Sequence, residues 1–118
     1  MPSIAEFTPW LPVYAVMVGP FSEELVFRSV AYRGLATRFR PVVATTITSL
    51  IFALIHAWSI DGLIGLCGAY ALSVVNIKLL HKSRSLWPAI ACHMTVNALV
   101  FAFGLVEYSV VGVGDAYL

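Results

Sequence analysis

The chain has 118 residues, 60% hydrophobic and 11% charged, with a mean hydropathy of +0.90. A soluble domain carries about 25% charged residues, so this composition suits lipid better than water. Seven basic and six acidic residues, net +1, leave no basic surplus for nucleic acid, and disorder, collagen and a disulfide scaffold are excluded as well. In chain order, residues 10–21 are apolar but short, and Gly19-Pro20 should interrupt them. A new helix should then run over 21–38, amphipathic and unusually polar, with Glu23, Glu24, Arg28 and Arg33 along it. Residues 42–60 follow, with His56 as the one titratable side chain, then a turn at Asp61-Gly62. Residues 63–80 and 86–106 complete the set of segments near the roughly 20 apolar residues that a span needs. The expected fold is all-α: a single membrane domain of about three full spans, plus a polar N-terminal helix behind a short apolar one. Pro9, Pro12 and the lack of a basic start argue against a signal peptide, and no internal repeat is visible.

Basic residues set the expected topology. Arg33, Arg38 and Arg40 precede the first long span, and Lys78, Lys82 and Arg84 lie between the second and third. A tight hairpin at Asp61-Gly62 would place both groups on one side, cytoplasmic by the positive-inside rule. Asp61, Glu107 and Asp115 would lie opposite. His81 reads as a head-group residue, and Trp58, Trp87 and Tyr108 sit where interfacial aromatics are expected. Gly65, Ala69 and Ser73 repeat every fourth residue, a small face for close helix approach. Cys67 and Cys92 are not a CxxC pair and read as small core residues.

Polar side chains at membrane depth need partners or a water-filled cavity. Here they are Glu23, Glu24, Arg28, His56, His93 and Asn97, with Asn76 a weaker candidate near a span end. Glu24 and Arg28 stand four apart and can pair. Glu23 points about 100° away and has no cation on its own helix. It is the carboxylate left to take a proton from water, as a general base does. His93 and Asn97 are also four apart, on one face of the last span. Converging, these helices would gather a carboxylate, two imidazoles and an amide.

Three short patterns stand in order. Glu23-Glu24-Leu25-Val26-Phe27-Arg28 is EExxxR, Phe52 to His56 is FxxxH, and His93 to Asn97 is HxxxN. Together with Ser85-Leu86-Trp87-Pro88-Ala89 they resemble the signature of the CPBP family, the CAAX proteases and bacteriocin-processing enzymes also called Abi. The resemblance covers residues 19–99. Ser29 stands where the family usually has glycine after the motif arginine. Family members usually carry several more helices before the first motif, and this chain has 22 residues before Glu23, so N-terminal helices of full-length members are expected to be missing.

The resemblance implies an intramembrane endopeptidase in a bacterial or archaeal cell membrane. Glu23 would activate the attacking water, with His56 holding that water or sharing its proton. His93 and Asn97 would stabilise the oxyanion, Arg28 would orient Glu24, the second carboxylate of the catalytic set, and Phe52 would give structural support. One oxyanion donor contributes about 10²–10³ in rate. Glu23, His56 and His93 would also make a Zn²⁺ set with an open fourth position. No HExxH is present and the ligands would come from three helices, which favours chemistry without a metal. The partners implied are membrane lipid and a membrane-associated protein or peptide, whether a prenylated CAAX protein, a bacteriocin leader or another membrane peptide. A non-catalytic immunity or scaffold module of the same family is the alternative. A proton-coupled transporter subunit is a third reading, disfavoured by the missing inverted repeat.

Overall fold

The computed structural model describes the backbone of residues 10–56 and 62–115, and the side chains of 10–56 and 62–104. Every regular element among the described residues is helical. Helix α1 runs without a break over residues 10–36, α2 is Pro41–His56, α3 is Gly62–Ser83 and α4 is Trp87–Asp115.

The expected interruption at Gly19-Pro20 does not occur. α1 passes through it because the backbone ahead has loosened to five-residue hydrogen bonding over Tyr14–Val18, where the Gly19 N–H reaches the Tyr14 carbonyl. A Cβ on Gly19 would lie 3.1 Å from that carbonyl oxygen, so glycine belongs there. In the same register the N–H of residue 20 would bond Ala15 O, and proline has none. The side chain of Asn97, on α4, supplies that missing donor at 2.9 Å. A second π-segment, Leu25–Tyr32, follows directly on Glu24. Such segments are uncommon and favour functional sites.

α3 and α4 cover the expected spans, α3 running three residues further and α4 starting one residue later and running nine further. Gly62–Ser83 and Trp87–Gly104 are long and apolar enough to cross a membrane. Only 28% and 17% of their apolar windows is buried against the rest of the chain, which leaves the faces lipid would cover. α2 is apolar but described over 16 residues, about 24 Å at 1.5 Å per residue, against a hydrocarbon core of about 30 Å. The remainder of the expected 42–60 span, together with Asp61 and Trp58, lies outside the described residues, as do the side chains of Glu107, Tyr108 and Asp115. Gly62 opens α3 with φ of +68°, a left-handed turn that suits glycine.

Gly65, Ala69 and Ser73 are all buried, as their spacing implies, and the Ser49 hydroxyl donates to the Ser73 hydroxyl at 3.0 Å where α2 meets α3. Two apolar clusters fill the bundle: Tyr32, Ala44, Ile77 and Leu80 towards the basic end, and Phe52, Ala53 and Ala69 beside the polar side chains. The cysteines are not core residues. Cys67 is exposed, Cys92 half-buried, and both are free thiols. Each lies on an outward-turned part of its helix, where a small apolar side chain is as well placed against lipid as against protein.

Candidate active site

The buried residues of α1's second half are Glu24, Arg28 and Tyr32, each four apart, while Leu25, Val26 and Val30 are exposed. The amphipathic pattern is therefore turned inside out, with the polar stripe towards the bundle and the apolar one outward. Burial of a charge is tolerated only when it is paired and hydrogen-bonded, and the partners come from all three other helices.

Glu24 is fully buried. Its Oε1 accepts from Asn76 Nδ2 on α3 at 2.9 Å and from His93 Nδ1 on α4 at 2.8 Å. Its Oε2 faces Arg28 Nε at 3.1 Å, an ion pair whose angle falls short of a hydrogen bond. The rest of the Arg28 guanidinium has no hydrogen-bond acceptor among the described residues. It lies over the Phe52 ring at 4.9 Å, a cation–π contact instead. Phe52 is the platform of the site. The His56 ring lies 4.1 Å from it, that of His93 meets it edge-on at 5.7 Å, and Phe27 packs against it from α1.

Glu23 meets a different pair. Its Oε2 is 3.3 Å from His56 Nε2 and 3.3 Å from His93 Nε2. The other ring nitrogens are already committed. His56 Nδ1 lies 2.7 Å from the Phe52 carbonyl, which can only accept, so Nδ1 carries the hydrogen. His93 Nδ1 likewise donates to the Glu24 carboxylate. With both rings neutral, each Nε2 is a lone pair turned to a carboxylate oxygen. Three acceptors then face one another, an arrangement that needs a shared proton or a donating water. This is the environment of a proton-transfer site.

Access differs sharply within the cluster. The Glu23 side chain is 34% exposed and that of His56 18%, against 2% for His93 and none for Glu24 or Arg28. The structure thus brings together Glu23, Glu24, Arg28, Phe52, His56 and His93. It does not bring Asn97 to them, since the amide nitrogen of Asn97 is on Ala15 O. Asn76 is the residue that the sequence reading undervalued; an amide within an otherwise apolar span was the signal for it. No group of three or more His, Cys, Asp or Glu side chains among the described residues is placed to hold a metal ion, the trio of Glu23, His56 and His93 included.

The family model described as type II CAAX prenyl endopeptidase Rce1-like matches residues 5–99, which include every residue of the cluster. The Bacillus subtilis (strain 168) protein named "Putative membrane peptidase YdiL" is 26% identical over 97 residues, 82% of this chain. The chain spans 38% of that relative's length. No solved structure matches.

Proposed function

Because this chain belongs to the Rce1-like family, the type II CAAX prenyl endopeptidases, we propose that it hydrolyses a peptide bond of a membrane-associated protein or peptide, with prenylated CAAX-type chains as the substrate class. The observation that carries this is the convergence of His56 Nε2 and His93 Nε2 on Glu23 Oε2, in the one accessible part of a buried polar cluster.

A water placed between Glu23 and His56 would give a proton to the carboxylate as its oxygen attacks the scissile carbonyl. His56 Nε2, with Nδ1 committed to Phe52 O, accepts a hydrogen bond from the second O–H of that water, whose hydrogen stays on the attacking oxygen, and orients the water. The oxyanion needs a donor. His93 Nδ1–H is taken by Glu24, so His93 donates from Nε2 only as an imidazolium. Glu23 and Glu24 stand on either side of the ring, and Arg28 holds Glu24 in place. Glu23 then returns its proton to the leaving amine. Asn76 and Phe52 act through their neighbours, holding Glu24 and the two imidazoles. No step is assigned to a metal.

The test uses the purified chain in liposomes with a prenylated CAAX peptide, and mass spectrometry of the products. Cleavage that disappears in Glu23→Gln supports the assignment. A peptide that binds equally to both forms and stays intact would make the chain a non-catalytic module of the family. Loss of activity with chelator and its return with Zn²⁺ would replace the metal-free mechanism. The basic ends of α1 and α3 belong on the cytoplasmic side by charge. A cysteine at exposed position 83, Ser83→Cys, should be labelled from that side in sealed vesicles; labelling only from the other side would reverse the topology.

A further inference from the structure

Six of the seven basic residues fall in two short stretches, 33–40 and 78–84. The fold brings these stretches together. The Tyr32 hydroxyl and His81 Nε2 are hydrogen-bonded across them, with the rings edge-on at 5.3 Å. Between them lies an open cavity of about 530 Å³, whose walls include Tyr32, Arg33, Thr37, Leu80, His81 and Arg84 and no acidic residue. The only carboxylates with described side chains, Glu23 and Glu24, are in the active-site cluster. Neither Arg33 nor Arg84 has an ion-pair partner among the described residues.

Helix termini leave this charge in place. α1 and α3 end here with about half a negative charge each, and α2 and α4 begin here with about half a positive charge each. The four ends cancel and offset none of the six cations. Arg84 is also held in a left-handed conformation, φ +55°, which residues with a Cβ adopt rarely. Its N–H is tied to the Leu80 carbonyl at 2.8 Å, and the turn places Arg84 in the cavity wall together with Arg33. The apolar run of α3 gives way to Lys78, His81 and Lys82 over its last turns, which puts the cavity at the depth of lipid head groups.

We propose that this cavity binds a phosphate-bearing anion, supplied by the head group of an anionic phospholipid. Arg33 and Arg84 clamp the phosphate from the ends of two helices, and the exposed His81 ring adds a polar contact. Leu80 and Tyr32 form an apolar floor for the first methylenes of the lipid. The site is separate from the proteolytic cluster and does not depend on the chain being a protease.

The experiment is a titration of the full chain in neutral detergent, read by native mass spectrometry. Phosphatidic acid, phosphatidylcholine of the same acyl chains and inorganic phosphate are the three ligands. Phosphatidic acid should bind about one per chain and about tenfold more tightly than the other two. The double variant Arg33→Gln/Arg84→Gln should lose about tenfold or more in that affinity. Arg38→Gln/Arg40→Gln removes the same charge outside the cavity and should lose less than about twofold. If the first double variant does not fold, the two single variants carry the test, each expected to weaken binding about threefold. Equal losses in both double variants would mean diffuse surface charge and overturn the proposal. So would equal binding of phosphatidylcholine, and inorganic phosphate binding as tightly as the lipid would make this a free-anion site.

Discussion

Glu23 and Glu24 are neighbours in sequence and opposites in environment. Glu24 is sealed: two hydrogen bonds on one oxygen, a guanidinium at the other, no exposed surface. Glu23 is a third exposed, and its contacts are two imidazole nitrogens, neither of which can donate while its ring is neutral. A carboxylate whose acceptor sites are occupied by strong donors has little left to offer a water. One facing two ring nitrogens and open space has the free lone pairs and the access that hydrolysis needs. The difference separates the part of the cluster that holds from the part that reacts.

The sharpest test of this contrast is Glu23→Gln. The substitution keeps shape and removes the base, so kcat should fall by about 10²–10⁴, the usual contribution of general base catalysis. KM and the melting temperature should change little, because the side chain is part-exposed and the two imidazoles it meets are each held through Nδ1 by another group. Glu24→Gln should do the reverse in kind. Breaking one side of a buried ion pair costs about 3–5 kcal/mol, read as a large drop in melting temperature in detergent. A stable, inactive Glu24→Gln beside an active Glu23→Gln would exchange the two roles.

Asn76→Ala probes the same contrast more gently. It removes one donor from Glu24 and leaves the ion pair with Arg28 and the bond from His93. The expected cost is about 1–3 kcal/mol in stability. The conservative Asn76→Gln should recover part of it if its longer amide still reaches Oε1. Because Asn76 acts through Glu24 and His93, its loss should lower kcat and leave KM near the original value. An unchanged kcat would confine Asn76 to stability.

How much of this was legible in the sequence follows from how local each interaction is. The Glu24–Arg28 pair was legible because both residues sit on one helix face, and spacing alone brings them within reach. The long apolar stretches of α3 and α4 were legible by length and composition. The small-residue face of α3 was legible by its period. The continuity of α1 through Pro20 was not, because proline's missing donor is replaced by a side chain 77 positions further along the chain. The same long-range contact separates His93 from Asn97. One helical turn apart, they were expected to share a target, yet they meet α1 at Glu24 and at Ala15, nine residues apart. Spacing tells which side chains share a face, and only the partner helix decides what each one meets. Asn76 illustrates the same limit, since its value to the site depends on Glu24, 52 positions earlier.

Asn97 and Pro20 provide the smallest and most discriminating test. If Asn97 serves the carbonyl that Pro20 leaves free, the two positions must be energetically coupled. Pro20→Ala restores a backbone N–H within reach of Ala15 O, so the amide of Asn97 becomes redundant. Hydrogen bonds between membrane helices contribute about 0.6 kcal/mol on average and up to about 1.7. Asn97→Ala should cost that much in stability in the parent chain, and close to nothing in the Pro20→Ala background. The double-mutant cycle cancels the separate cost of losing the buried proline ring. An oxyanion role for Asn97 makes the opposite demand. There, Asn97→Ala would lower kcat by about 10²–10³, by the same factor in both backgrounds, because a donor to the transition state is indifferent to the backbone at residue 20. Coupling in stability with kcat preserved would place Asn97 among the groups that shape α1. A background-independent loss of kcat would return it to the site beside His93.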